Sequence, residues 1–380
     1  MIYLDHAASA PMRPEVRAAV ERALEEAVGN PSSLHAAGRR ARRILEDARE
    51  RAAAALAADP REIVFTSGAT EANHLAVIGA AEARRDRGDR VVVGALEHPS
   101  VLEAAERLAG RGFRVTRVPA GREGLLDPAE VARAATPGTV LVSVAWVDAE
   151  VGALQAIGEI RRALPEGVLL HSDAAQAAGK VPVDVRLADL VTFSAHKMHG
   201  PKGSGALWVR RGVALAPLFS GGGQELERRA GTENVAGAAG FAEALARAVR
   251  DLEAGARRME ALRERLREGL ARRVGGMRVH GPARRRAPHL LNVSFEGVEG
   301  EAAVLALDAE GVCAGSGSPC ASGGVRPSPA LQALGLSEEE ARGSVRLSVS
   351  ASTTEAEIDR ALEIIPRVVE RLRGISAGVR

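Results

Sequence analysis

The sequence predicts an α/β fold: a largely parallel sheet covered by helices on both faces, followed by a smaller α+β domain. Three observations carry this. Strand-length apolar runs recur at 62–66, 90–95, 113–118, 139–147, 168–172, 190–194 and 206–210, separated by Ala- and Arg-rich stretches of helical spacing such as 101–109 and 128–134. Val91-Val92-Val93 and Val140-Leu141-Val142 are continuously apolar, as befits strands buried on both sides. The alternation then stops near residue 235.

From there one long helix is expected over 236–274, rich in Glu/Arg pairs at i,i+4 spacing. Strands at 277–279, 290–295 and 344–349, with helices at 301–309 and 355–372, complete the smaller domain. The boundary falls inside the long helix. The expected division is a large domain of 13–255 and a small one of 256–380, joined by residues 1–12.

Composition narrows the class. The 380 residues are 46% apolar and 26% charged, as in a globular protein of one large domain or two unequal ones, and only 2% aromatic, so the core must be aliphatic. Net charge is +2, and the basic run Arg284-Arg285-Arg286 has no aromatic neighbours, so it reads as a solvated loop and nucleic-acid binding is not expected. No apolar stretch approaches the roughly eighteen residues of a membrane span. The N-terminus, Met1-Ile2-Tyr3-Leu4-Asp5-His6, has neither a basic nor an apolar signal region. Two cysteines, Cys313 and Cys320, cannot form a disulfide framework, and a cytoplasmic location is expected.

Chemistry concentrates where strands end. The chain has only three lysines. One closes the apolar run Leu190-Val191-Thr192-Phe193-Ser194-Ala195-His196-Lys197, at the sheet edge where open α/β sheets place ligands. Lysine forms Schiff bases and arginine cannot. Val168-Leu169-Leu170-His171-Ser172-Asp173 ends likewise in a carboxylate, and a Schiff-base lysine with an Asp for a pyridinium nitrogen is what pyridoxal phosphate requires. Thr66-Ser67-Gly68-Ala69-Thr70-Glu71 runs from strand into helix, either as an anion cradle or as a plain capped turn. Ser194 and His196 can complete the cradle, while Gly203-x-Gly205 reads as a turn.

His98, in Glu97-His98-Pro99-Ser100, sits at the same edge, where an imidazole can stack on a ring and move protons; a structural loop histidine is the alternative. Gln176 lies three residues past Asp173 and can reach a ring hydroxyl. Cys313, after Gly311-Val312, reads as a structural thiol. Cys320 differs, lying among small polar residues in Gly315-Ser316-Gly317-Ser318-Pro319-Cys320-Ala321-Ser322-Gly323-Gly324, where a thiolate can act as nucleophile. Arg346, inside the apolar strand Ser344-Val345-Arg346-Leu347-Ser348, needs an anion; a substrate carboxylate and a structural salt bridge serve equally.

Taken together the chain resembles, nearly end to end, the pyridoxal-phosphate cysteine desulfurases of the class V aminotransferase family. The motifs just quoted are joined by Tyr3-Leu4-Asp5-His6-Ala7-Ala8, Gly29-Asn30-Pro31-Ser32-Ser33-Leu34-His35, Gly200-Pro201-Lys202-Gly203 and Arg229-Ala230-Gly231-Thr232-Glu233-Asn234. The resemblance implies fold-type I, with a seven-stranded large domain, and a homodimer with shared sites. Its cofactor set is Lys197, Asp173, Gln176, His98, Ala69, Thr70, Ser194 and His196, with Thr232 reaching the phosphate from a second subunit. Arg346 and Asn30 would orient L-cysteine. Lys197 would take the Cα proton, His98 would deprotonate the incoming thiol, and Cys320 would accept the sulfur as a persulfide while alanine leaves. No metal is implied. The extended Cys320 loop is similar to the longer-loop branch, which delivers sulfur to scaffold proteins for iron–sulfur assembly or to thiolation enzymes.

The chain departs from the pattern at Asp148-Ala149-Glu150-Val151-Gly152, where the family has Asn-Asn-Glu. Ala149 cannot make the amide's contacts to cofactor and substrate, a loss of about 1.5–3 kcal/mol unless water or Asp148 compensates. His6, Ser9 and Ser350-Ala351 are smaller departures, and Pro319 stiffens the approach to Cys320. Another class V activity (selenocysteine or cystine lyase, epimerase, aminotransferase) and a weakened sulfur-transfer partner are the alternatives.

Overall fold

The computed structural model describes residues 1–316 and 328–378. Among the described residues, thirteen short strands are arranged in three sheets. In chain order they are β1 Ile2–Tyr3, β2 Ile63–Thr66, β3 Arg90–Gly94, β4 Arg114–Val118, β5 Thr139–Ser143, β6 Leu169–Asp173 and β7 Leu190–Ser194. They continue with β8 Gly205–Val209, β9 Met277–His280, β10 Leu290–Phe295, β11 Val312–Cys313, β12 Gly315–Ser316 and β13 Ser344–Ser348.

The large sheet has the order β2-β8-β7-β6-β5-β3-β4, and only β8 runs against its neighbours. The inner strands β3, β5, β6 and β7 are buried on both faces, as their unbroken hydrophobicity requires, whereas β4, expected as a further apolar run, is an edge strand whose Arg114, Thr116 and Arg117 are exposed. Val92, Val142, Leu170 and Val191 face one helical layer, and Val91, Val93, Leu169 and Leu190 face the other. A shift of register between Arg90 and Val91 accommodates the extra residue of β5. Connections on both sides of β3 leave its carboxyl end beside a point where strand order reverses, the usual place for a ligand crevice.

Two expectations of extent are corrected. The helix expected over 236–274 is two, Val235–Arg250 and Leu252–Arg273, with a kink at Asp251 whose carboxylate is drawn to Arg13 at 2.8 Å. The run expected as strand to 147 leaves the ladder after Ser143, although Trp146 still donates to the Asp173 carbonyl at 2.8 Å. Helices Pro14–Glu26 and Ala36–Ala55, unpredicted, pack against Val235–Arg250.

The second sheet, β12-β13-β10-β9, is antiparallel, and its core of Leu291, Val293, Val345 and Leu347 is capped by Met259, Leu262 and Leu266. Ile2 and Leu4 belong to this same core. The N-terminal segment therefore leaves the small sheet and runs into the large one: Leu4 accepts from Ser348, and Ala10 donates to the His196 carbonyl. Among the described residues no helix is long and apolar enough to cross a membrane.

Candidate active site

The carboxyl ends of β2, β3, β6 and β7 bring most of the expected residues to one edge. β7 passes into a single 3-10 turn, Ala195–Met198, closed by His199 in the left-handed region (φ 63°). That turn aims the Lys197 amine at the Ala7 carbonyl, to which it donates. Burial lowers the Lys197 pKa to about 8; Arg346 adds to the fall, while Asp173 and Asp5 oppose it. The result is a largely buried amine that gives up its proton far more readily than an ordinary lysine.

Asp173 ends β6 and is buried. Its Oδ1 accepts from the Ala175 N–H at 2.9 Å and its Oδ2 from the Asn73 amide at 2.7 Å. Asn73 also donates to Ser100 Oγ at 2.9 Å. Sequence reasoning missed Asn73. The available signal was a polar residue on the sheet-facing side of a helix whose neighbours Ala72, Leu75 and Ala76 are apolar. Gln176 is likewise buried: its amide donates to the Ala7 carbonyl at 2.8 Å, and its Oε1 lies 3.4 Å from His289 Nε2. Ala7 thus joins Lys197 to Gln176 through one main-chain oxygen, which no side-chain pattern reveals.

The loop expected as an anion cradle leaves β2 at Thr66 and starts a helical run at Ala69 that continues, through a π-helical stretch, to Glu82. Gly68 has φ 154°, and a Cβ there would meet nothing within 4 Å, so the loop bounds open space. A Cβ on Gly205 would lie 2.7 Å from the Gly68 Cα, so only glycine lets β8 approach the loop. Thr70 is exposed and Ala69 partly so. Beside them Ser194 is buried, with an Oγ that has no hydrogen-bond partner among the described residues. An orphan buried hydroxyl costs free energy unless a ligand satisfies it, and this one fits a phosphate oxygen. His196 Nδ1 lies 3.3 Å from Ser9 Oγ, so Ser9 has a role here; burial, then Lys197, Lys202 and Lys180, lower the His196 pKa to about 4.

His98 ends the β3 connection and caps the helix Pro99–Ala109: its Nδ1 accepts from the Ser100 N–H at 3.1 Å and lies 2.7 Å from Ser100 Oγ. The neutral ring therefore carries its proton on Nε2. His98 lies at the exposed rim; the surrounding protein lowers its pKa, Asp173 raises it and Lys197 lowers it further. Glu97, before it, is buried and accepts from the Ala145 N–H at 2.6 Å; desolvation, with Asp173 and Asp148 nearby, pushes its pKa well up.

Arg346 reaches this edge from β13. Its guanidinium donates to Asp5 Oδ1 and to the Ala149 carbonyl, both at 3.2 Å, and its buried Nε has no partner among the described residues. The salt bridge expected as one reading of Arg346 is therefore present, with Asp5. Asp148 does not stand in for the missing amide with its Oδ1, which accepts from the Glu150 and Val151 N–H groups and closes the turn. Glu150 is pushed up to about 8 by desolvation, against the pull of Arg346.

Asn30 and Thr232 are not brought to Lys197 within one chain. Both are exposed, and the Asn30 carboxamide accepts from the Ser32 N–H at 2.8 Å. Cys313 is half-buried in β11 beside β1. Cys320 lies outside the described residues. Among the described residues no cluster of metal-ligating side chains occurs.

A sheet-edge lysine, a buried aspartate at the end of the neighbouring strand and a glycine-bounded loop opening a helix, on this topology, define a class, and comparison bears it out: the aminotransferase class-V family model matches residues 2–361, and the chain belongs to that family. The cysteine desulfurase IscS of Dictyoglomus turgidum is 40% identical over 378 residues, covering 99% of this chain and 96% of that protein. A solved NifS-like protein superposes with a TM-score of 0.91 at 33% identity, over 97% of this chain and 99% of that one. SspA, solved in complex with cysteine, gives 0.81 at 32% identity over 93% and 100%. Within the class V family the chain groups with the cysteine desulfurases, a pyridoxal-phosphate-dependent branch.

Proposed function

We propose that this chain converts L-cysteine to L-alanine and moves the substrate's sulfur, as a persulfide, onto Cys320. The observation that carries the reading is the meeting at one sheet edge of a largely buried amine, lowered to about 8 by burial and by Arg346, a carboxylate held by two donors, and a buried hydroxyl without a partner among the described residues. Pyridoxal phosphate, when bound, supplies the electron sink that makes the Cα proton acidic and the Cβ sulfur a leaving group. Lys197 would hold it covalently, Asp173 at the ring nitrogen, Gln176 at the ring hydroxyl and His98 across the ring face. Ala69, Thr70, Ser194 and His196 would take the phosphate.

The chain's own groups then divide the work. Arg346 grips the substrate carboxylate with the donor capacity that Asp5 and Ala149 leave free. Lys197 takes the Cα proton as a free amine. His98, with Nδ1 engaged by Ser100, offers Nε2–H to the substrate sulfur; to take the thiol proton it must first release Ser100. At Cys320 the thiolate attacks that sulfur: the carbon–sulfur bond breaks, a sulfur–sulfur bond forms and the carbon takes a proton, giving alanine.

A homodimer suits the residues left outside. Thr232 and Asn30 lie among exposed apolar side chains, Val28 at 82%, Leu34 at 89% and Phe219 at 62% accessibility, which a second copy would cover. The small domain, 256–380 with 1–12, would carry the sulfur loop towards an acceptor, a scaffold for iron–sulfur assembly or a thiolation enzyme. Single turnover of cofactor-loaded protein with L-cysteine tests the reading, wild type beside Cys320→Ala and Cys320→Ser. Stoichiometric alanine with a persulfide absent from both variants is expected. A loaded enzyme that makes no alanine, or makes it regardless of Cys320, defeats the reading.

A further inference from the structure

Lys180 is buried on the turn that follows β6, and no carboxylate lies within ion-pair distance of it among the described residues. Burying an amine without a counter-charge is costly, so its hydrogen bonds indicate what it does. Its Nζ donates to the Lys197 carbonyl at 2.7 Å and to the Ala178 carbonyl at 3.4 Å. One amine thereby bridges the turn carrying Asp173 and Gln176 to the turn carrying Lys197. A cavity of about 40 Å³ adjoins it, lined by His6, Arg13, Lys197, His199, Asp251 and Ser350. Arg13 and Asp251 are paired with each other, and the imidazoles of His6, His199 and the neighbouring His289 are all depressed in pKa, in part by Lys180 itself. Burial, then Lys197, lowers the Lys180 pKa to about 7. A neutral amine still donates, so the clamp persists in either protonation state.

We propose that Lys180 is a positioning residue for Lys197: it ties the Lys197 carbonyl to the turn following Asp173 and so sets where the Lys197 amine points. The assignment rests on the cysteine desulfurase reading for its catalytic consequence, though not for its structural one.

The test uses the three lysines of the chain, which mass spectrometry can follow separately. Full-length protein freed of cofactor is labelled with limiting acetic anhydride across pH, with exposed Lys202 as internal reference, in wild type, Lys180→Met and Lys180→Gln. Loss of the clamp in Lys180→Met should release the Lys197 amine, raising its labelling midpoint from about 8 towards that of Lys202. The glutamine variant, which keeps an N–H donor, should lie between. With L-cysteine, loaded Lys180→Met should lose about tenfold or more in kcat, with KM within about twofold. A folded Lys180→Met with an unchanged Lys197 labelling profile overturns the proposal. So does failure of both variants to fold, which would make Lys180 a core residue only. If wild type releases no alanine, the desulfurase reading fails while the labelling result still decides the clamp.

Discussion

Replacing Asn73 by alanine probes the least expected contact of the site. Asn73 is fully buried and supplies the 2.7 Å hydrogen bond to Asp173 Oδ2. Asp173 Oδ1 keeps its own donor, Ala175 N–H, so truncation leaves the carboxylate held at one oxygen and able to turn. A hydrogen bond to a charged acceptor contributes about 1.5–3 kcal/mol. At 2.7 Å this one lies at the short, strong end of such bonds. With about 1.4 kcal/mol per tenfold, Asn73→Ala should weaken pyridoxal phosphate binding by roughly 10- to 150-fold, if the whole bond serves to orient Asp173. Cofactor titration by absorbance measures this, with Asp173→Ala as the reference for complete loss of the contact. The melting temperature is followed in parallel, because the void left by the side chain lowers stability independently. Affinity within about twofold of wild type, in a variant that melts earlier, would show that Asn73 only fills space and would refute the reasoning.

Arg346→Ala should raise KM for L-cysteine by at least about tenfold with a smaller effect on kcat, and Arg346→Lys should recover only part of it, because a point charge lacks the guanidinium fork. Steady-state kinetics check this; an unchanged KM assigns Arg346 to the Asp5 pair alone. Ala149→Asn should raise kcat/KM by roughly tenfold or more if the missing amide limits this enzyme. No gain means that the Ala149 carbonyl bond to Arg346 already fixes the turn. The last prediction concerns acid. His171 is fully buried between Ser143 and Thr192, and burial lowers its pKa to about 4 from 6.5. Between those values the unfolded chain binds a proton that the folded chain does not, so stability falls as pH drops from 6.5 through 4, by about 3 kcal/mol in all. His171→Gln should flatten that part of the urea-unfolding profile; an unaltered slope assigns acid sensitivity to other groups.

The parts of this protein legible in its sequence are those written in short periodic segments. Seven apolar runs announced the large sheet, and polar residues directly after β3, β6 and β7 announced the site, because the ends of strands are local in sequence. What was not legible depends on distant backbone. The Ala7 carbonyl serves both Lys197 and Gln176, yet alanine carries no chemical signal, and its placement requires the N-terminal segment to cross from the small sheet to the large one. The kink at Asp251 was hidden for the same reason: neither Gly nor Pro marks it, and its partner Arg13 lies 238 positions away. Asn73 was concealed in a stretch that reads as an ordinary amphipathic helix.

The lysine count, by contrast, carries more than its position in the composition suggests. All three lysines fall between residues 180 and 202, in the turns after β6 and β7, while arginine provides the remaining cations. Arginine holds its charge at any physiological pH and needs room for a planar fork. At 197 a permanent charge could neither form a covalent link nor accept a proton. At 180 a guanidinium would have to be buried beside a cavity of about 40 Å³ whose carboxylate, Asp251, is already paired with Arg13. His196 lies in the field of all three amines and is held neutral by burial and by them. Crowding amines here is tolerable only because amines can discharge: Lys180 and Lys197 are lowered to about 7 and about 8. An arginine-based chain therefore uses lysine where a buried cation must be able to lose its proton, and that requirement made a lysine at a strand's end stand out in the sequence.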